Sequence, residues 1–322
     1  MTTAGHSGSP PTVLCPGQGA QAIGMGRAWA DASLEAAAVF DRADAILGDA
    51  GFEGSIREVC FEGPSERLNR TDVSQPAIYV TSVASWRGLC AAEGADPASR
   101  PIAAAAGLSL GEYTALHIAG SLTFEDGLRL VALRGRAMQD AAEASPSSMV
   151  AVIGASEEDA QSLCERATGQ CSGAAILVPA NFNAPVQVVM SGSLEACDAV
   201  ERIAGEMGFK ASRLAVAGAF HSPLMAPAAE RLSEALEGTE IASPRTPVLS
   251  NVTGAPHDPD AASIRRLLVD QLTCPVRWVD CARWIVENAA AAPYELAPGK
   301  TLAGLMRRID REKKVKTHEK PG

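Results

Sequence analysis

The sequence predicts an α/β fold, a parallel sheet covered by helices, with a small split βαβ unit inserted into it. Three observations predict it. Short apolar strands run into Gly-rich turns and helices, a stretch of small residues ends in Gly-x-Ser-x-Gly, and the middle of the chain orders as β-α-β-β-α-β. Thr12 to Cys15 reads as a short apolar strand entering Pro16-Gly17-Gln18-Gly19. Helical periodicity follows from Gly26 to about Leu47, with Trp29, Leu34, Ala37, Phe40 and Ala43 on the apolar side, and a second helix spans Gln75 to Leu89.

Ile102 to Gly107 is less direct, because its four alanines prefer helix. Pro101 precedes them and Gly107 follows, and small side chains suit a central strand covered on both faces. A strand is therefore expected, then Ser109-Leu110-Gly111 and a helix to about Ala119. Another helix runs from Phe124 to Ala142.

Beyond it, Ser148–Ile153, Ala175–Pro179, Val186–Met190 and Lys210–Val216 read as strands, and Glu157–Ala167 and Leu194–Met207 as helices. That order is ferredoxin-like. The expected organisation is a core of 12–139 and 217–310, an inserted subdomain of 140–216, and flexible tails at 1–11 and 311–322.

Composition narrows the function. The chain has 322 residues, 47% hydrophobic and 20% charged, enough to bury a large core. No apolar run is long enough to span a bilayer, and the polar, Gly/Ser/Pro-rich amino terminus lacks a signal-peptide core, so a cytoplasmic protein without a membrane partner is expected. The net charge of −10 argues against nucleic acid. The eight cysteines form no Cys-x-x-Cys pair, which favours reduced thiols over zinc or disulfides. Against the overall charge, Arg307 to Gly322 carries seven Lys/Arg and three Asp/Glu. This is either a solvated end or a docking surface for an acidic partner.

Gly107-Leu108-Ser109-Leu110-Gly111 fits a nucleophile elbow, in which flanking glycines let neighbouring backbone pass close by while the serine is pushed out. A Gly-rich turn with a helix-capping serine fits the same letters. A serine hydroxyl needs an adjacent base. Of the five histidines, His6 and His318 fall in the expected tails, and His257 lies in a turn-like Ala-Pro-His-Asp-Pro segment. His117 sits on the helix of Ser109, about 12 Å away at 1.5 Å rise per residue. His221 remains, in Gly218-Ala219-Phe220-His221-Ser222, as a structural histidine or as the base. No acid is obvious for its other nitrogen, and a backbone carbonyl serves equally well.

Acyl chemistry also needs donors for an oxyanion. The N–H of Leu110 is one candidate, and that of the Gly-flanked Gln18 is a second. The loop holding Gln18 also fits the loose dinucleotide pattern G-x-G-x-x-A, but Glu35 and Asp41, near the position of the ribose-binding acid, lie inside a helix. Arg134 has Leu130, Val131, Ala137 and Met138 as helical neighbours, so its guanidinium is expected in a partly buried place. An internal salt bridge and a fork for a substrate carboxylate both fit.

Taken together, these segments resemble the malonyl-CoA:acyl carrier protein transacylase family and the acyltransferase domains of polyketide synthases. The similarity runs from Pro16 to about Ile309. It includes Pro16 to Gln21, Thr71 with Gln75-Pro76-Ala77, Gly107 to Tyr113, Leu133 to Met138, and Phe182 to Pro185. Gly218 to Met225, Gln271-Leu272 before Pro275 to Trp278, and Pro298-Gly299-Lys300 complete it.

The resemblance implies an α/β-hydrolase-like core and a ferredoxin-like insert. It implies Ser109 as nucleophile, His221 as base, and the N–H groups of Gln18 and Leu110 as the oxyanion hole. Among substrate-binding residues it implies Arg134 for the malonyl carboxylate, Asn183 and Phe220 lining the pocket, and Gln271, whose carbonyl orients His221. Phe220 before the histidine resembles a malonyl rather than a methylmalonyl signature.

The implied activity is ping-pong transfer of malonyl from malonyl-CoA to the phosphopantetheine thiol of acyl carrier protein. It supplies fatty-acid biosynthesis, and a trans-acting polyketide acyltransferase or a thioester hydrolase is the alternative. No metal or other cofactor is implied, and a monomer is expected. One position departs from the family: Leu108 stands where its members usually have histidine.

Overall fold

The structure, a computed structural model, describes residues 9–322. In chain order the strands are β1 (Thr12–Cys15), β2 (Ala104–Gly107), β3 (Ser147–Ile153), β4 (Leu177–Ala184), β5 (Gln187–Ser193), β6 (Lys210–Arg213), β7 (Val248–Leu249), β8 (Tyr294–Leu296) and β9 (Lys316–His318). They form two sheets. One has the order β7-β2-β1-β8-β9 with every pair parallel; the other has β4-β5-β3-β6 with every pair antiparallel. The second sheet, with helices Glu157–Thr168 and Leu194–Glu206, is the ferredoxin-like unit.

The alanine-rich segment is a strand, and burial explains why propensity lost. Val13, Cys15 and Ala105 enter the hydrophobic core on one face of the parallel sheet, while Leu14, Ala104 and Ala106 enter a second cluster on the other. Both faces are covered, so small side chains let helices pack closely. Strand register places Cys15 opposite Gly107 and Ala106 opposite Leu249. Because these strands are parallel, the turns after β1, β2 and β7 emerge at one edge. That carboxyl edge is where sites form in such sheets.

Two helical boundaries differ from the expectation. The stretch from Gly26 to Leu47 is broken at Ser33, which is extended (φ −140°) and accepts from the N–H of Ala36 to start a second helix. A serine that caps competes with helix continuation. The break shifts the helical phase and leaves Leu34, expected on the apolar side, 86% exposed. The helix expected from Gln75 begins one turn earlier, at Thr71, whose N–H donates to the side-chain carbonyl of Gln139 (3.1 Å).

The carboxyl end is also different. Residues 311–322, expected as a flexible tail, include β9, which pairs with β8, and the indole N–H of Trp29 donates to the His318 carbonyl (2.9 Å). The ring of His318 lies 4.7 Å from that of Tyr294. Of the expected amino-terminal tail, residues 1–8 lie outside the described residues, His6 among them. All eight cysteines are free thiols, and burial pushes the Cys60 thiol up to about 12. Among the described residues no helix is long and apolar enough to cross a membrane.

The pairing of β9 is testable. Deleting residues 316–322 uncovers Trp29 and the edge of β8, and should lower Tm by about 2–4 °C for each kcal/mol lost. An unchanged melting curve would contradict it.

Candidate active site

The strand β2 ends at Gly107, and the chain turns through Leu108, Ser109 and Leu110 into helix Gly111–Ile118. Only glycine fits at both ends of this turn. A Cβ on Gly107 would lie 1.9 Å from the carbonyl carbon of Gly111, and one on Gly111 would lie 2.2 Å from the carbonyl oxygen of Cys15. Between them Ser109 adopts φ 54°, a left-handed conformation that costs a non-glycine residue about 1–3 kcal/mol. The strain projects Oγ out of the turn.

Part of what holds the turn is a side chain from the loop after β7. Asn251 Oδ1 accepts from the Ser109 N–H (2.6 Å), and its Nδ2 donates to the Gly107 carbonyl (2.7 Å).

His221 arrives from the other sheet, on the segment after β6, and also has positive φ (55°). Serines of the antiparallel sheet fix that segment. Ser147 Oγ accepts from the Ala219 N–H (3.0 Å), and Ser191 Oγ donates to the Phe220 carbonyl (2.6 Å). The imidazole Nδ1 lies 2.7 Å from the Gln271 carbonyl, and Nε2 lies 2.9 Å from Ser109 Oγ. A carbonyl only accepts, so Nδ1 carries the proton and Nε2 presents a lone pair to the serine. Burial and the positive charge of Arg134 together hold the imidazole down to about 4, against the weaker opposing effect of the Gln271 carbonyl.

Arg134 reaches the same hydroxyl from helix Phe124–Ala144. It is 1% exposed. One terminal nitrogen donates to Gln75 Oε1 (2.5 Å), and the other donates to Ser109 Oγ (3.0 Å) and Gln271 Oε1 (2.9 Å). All three acceptors are neutral oxygens. Nε is buried without a partner among the described residues, and the face of Tyr113 lies 5.6 Å away. The internal salt bridge that the sequence allowed is absent among the described residues. Burial lowers this guanidinium's pKa, yet an arginine stays charged at neutral pH.

Ser109 and His221 open onto a cleft of about 320 Å³ between the two sheets, whose lining includes Gln18, Leu108, Asn183 and Phe220, and Arg134 lies buried behind Ser109. The N–H groups of Gln18 and Leu110 have no acceptor among the described residues, and Leu110 stands at the N-cap of helix Gly111–Ile118. Asn183 Oδ1 is buried and unpaired there. Gln271, expected among the substrate-binding residues, does not line the cleft. It is fully buried behind His221 and Arg134, touching both.

Residues 12–319 match the family model described as the acyl transferase domain. The chain belongs to this family. It is 36% identical to the malonyl CoA-acyl carrier protein transacylase of Bacillus subtilis, over 94% of this chain and 91% of that protein. The solved malonyl CoA-acyl carrier protein transacylase of Coxiella burnetii superposes with a TM-score of 0.88 at 36% identity, covering 98% of this chain and 96% of that one. A malonyl-transacylase solved in complex with a type II polyketide acyl-carrier protein gives 0.86 at 35% identity, covering 96% of this chain and 95% of that one.

Several residues of this acyltransferase site were not assigned roles from sequence. Asn251, Glu112 and Gln75 carry no letter pattern of their own and acquire meaning only by convergence. His257, assigned to a turn, is buried with Nε2 2.7 Å from Glu112 Oε1. His117 is a structural histidine, its Nδ1 3.0 Å from the Leu122 carbonyl.

The state of His221 sets a pH dependence. Acting as the base that the sequence suggests, His221 would have to be neutral to accept a proton, so activity is expected to fall as pH drops through its folded-state value of about 4. The acid limb of kcat/KM for release of free CoA should lie near 4. A limb near the ordinary histidine value of about 6.5 would contradict the geometry.

Proposed function

We propose that this acyltransferase moves a malonyl group from malonyl-CoA to the phosphopantetheine thiol of an acyl carrier protein, for fatty-acid or polyketide synthesis. One observation carries the reading: a buried cation stands 3.0 Å from Ser109 Oγ with only neutral oxygens around it. A carboxylate at the end of the acyl chain is the ligand such a site lacks. Malonyl has one and acetyl does not.

Ser109 Oγ attacks the thioester carbonyl while His221 Nε2 takes its proton. The tetrahedral oxyanion is received by the N–H groups of Gln18 and Leu110. Its collapse breaks the carbon–sulfur bond, and His221 returns the proton to the departing CoA sulfur. Arg134 exchanges its bond to Ser109 for the malonyl carboxylate, while Asn183 and Phe220 line the acyl pocket. The carrier thiol then attacks the malonyl-serine ester, His221 again shuttling the proton. No step calls on a metal or redox cofactor.

The carrier approaches over a second cleft of about 540 Å³, where Arg307, Arg308, Arg311 and Lys314 face Pro185 and Val186 at the tip of the β4–β5 hairpin. None of these four cations has an ion-pair partner among the described residues, and strand β4 leads from Asn181 and Asn183 in the catalytic cleft to this hairpin. An acidic face of the carrier complements that charge.

Intact-protein mass spectrometry tests the reading. After mixing with malonyl-CoA the protein should gain one malonyl group, and Ser109→Ala should gain none. Holo carrier protein should discharge the adduct, and apo carrier should not. Discharge at the same rate without carrier would identify a hydrolase instead.

A further inference from the structure

Beneath the catalytic turn lies a second charged group that the proposed reaction does not use. Glu112, in the first turn of helix Gly111–Ile118, is fully buried. Its Oε1 lies 2.7 Å from His257 Nε2, and its Oε2 accepts from Gln271 Nε2 (2.7 Å) and from the Asn251 N–H (3.0 Å). Donors face both oxygens, the pattern of an ionised carboxylate. His257 Nδ1 is buried without a partner among the described residues, so a second proton on that ring would have nowhere to donate. A ring donating through Nε2 alone meets that geometry and leaves the carboxylate its charge.

Two opposite buried charges thus stand on either side of one amide. Gln271 Nε2 donates to Glu112 and to the Ser109 carbonyl (3.1 Å), while its Oε1 accepts from Arg134 (2.9 Å). Flipping this amide would set its NH₂ against the guanidinium and its oxygen against two acceptors, so the surroundings admit one orientation. We propose that Glu112 is the counter-ion of Arg134, acting through the side-chain amide of Gln271, so that the cation is balanced while remaining free to take a substrate carboxylate.

Direct pairing would balance the charge equally well, but the carboxylate would then occupy the guanidinium nitrogens and compete with the acyl group. Relaying the charge avoids that. Glu112 is therefore a positioning residue. It also steadies the nucleophile, since Asn251, whose N–H it accepts, holds the backbone of Ser109. The inference rests on reading Arg134 as the carboxylate site.

Glu112→Gln separates charge from hydrogen bonding. The new amide oxygen can accept from Gln271 and Asn251, and its NH₂ can donate to His257 Nε2 once the ring proton moves to Nδ1, where it has no partner, a cost common to both Arg134 backgrounds. Melting temperatures of the wild type, Glu112→Gln, Arg134→Met and the double variant should be measured alone, with malonate and with neutral malonamide. Glu112→Gln leaves a buried cation uncompensated and should lower Tm on the order of 5–10 °C. The same change in the Arg134→Met background should cost less than half as much. Malonate should raise Tm more in Glu112→Gln than in the wild type, and neutral malonamide should raise neither.

Equal losses in both backgrounds would overturn the proposal, because a purely structural glutamate does not sense Arg134. So would failure of Glu112→Gln to fold in both backgrounds. Folding only when Arg134 is also replaced would support it. Should the backgrounds couple while malonate shifts neither protein, the counter-ion stands and the carboxylate reading of Arg134 fails.

Discussion

A guanidinium removed from water and given only neutral oxygens is the constraint on which the rest of this structure depends. Burying a cation is costly unless charge and hydrogen bonds compensate it. Here Arg134 sits with Gln75, Gln271 and Ser109, and no acid touches it directly among the described residues. The atom that binds the guanidinium, Ser109 Oγ, is the one proposed to attack. A carboxylate-bearing acyl chain therefore resolves two matters together, supplying the missing anion and freeing the hydroxyl.

The fold brings these groups together from distant segments. Parallel strands deliver the turns after β1, β2 and β7 to one edge, carrying Gln18, Ser109 and Asn251. The antiparallel sheet brings His221 from the opposite side of the cleft, and residues beyond helix Ala261–Asp270 bring Gln271. Ser109 and His221 both hold positive φ. Such strain persists where surrounding contacts over-determine it, and here Asn251, Ser147 and Ser191 supply them.

Much of this was legible in the sequence because it is local. The elbow is written in five consecutive letters, and the order of six elements in the insert requires no knowledge of their packing. His221 emerged by elimination among few histidines, and Arg134 by the apolar letters around it. What was not legible depends on several segments meeting. Nothing adjacent to Glu112 or Asn251 marks them as parts of one network, and Leu34 was misplaced because a single capping serine shifted the helical phase. The carboxyl end read as a tail because its charge outweighs its three strand residues, and the Trp29 indole that meets it lies near the other end of the chain.

The central claim concerns selection by charge, and the most direct measurement is kcat/KM for malonyl-CoA and acetyl-CoA in the wild type and in Arg134→Ala. The account predicts that malonyl transfer falls roughly tenfold to a hundredfold or more, while acetyl transfer holds or rises, so the preference collapses. If both substrates lose activity by the same factor, Arg134 serves the chemistry in general and does not read the carboxylate.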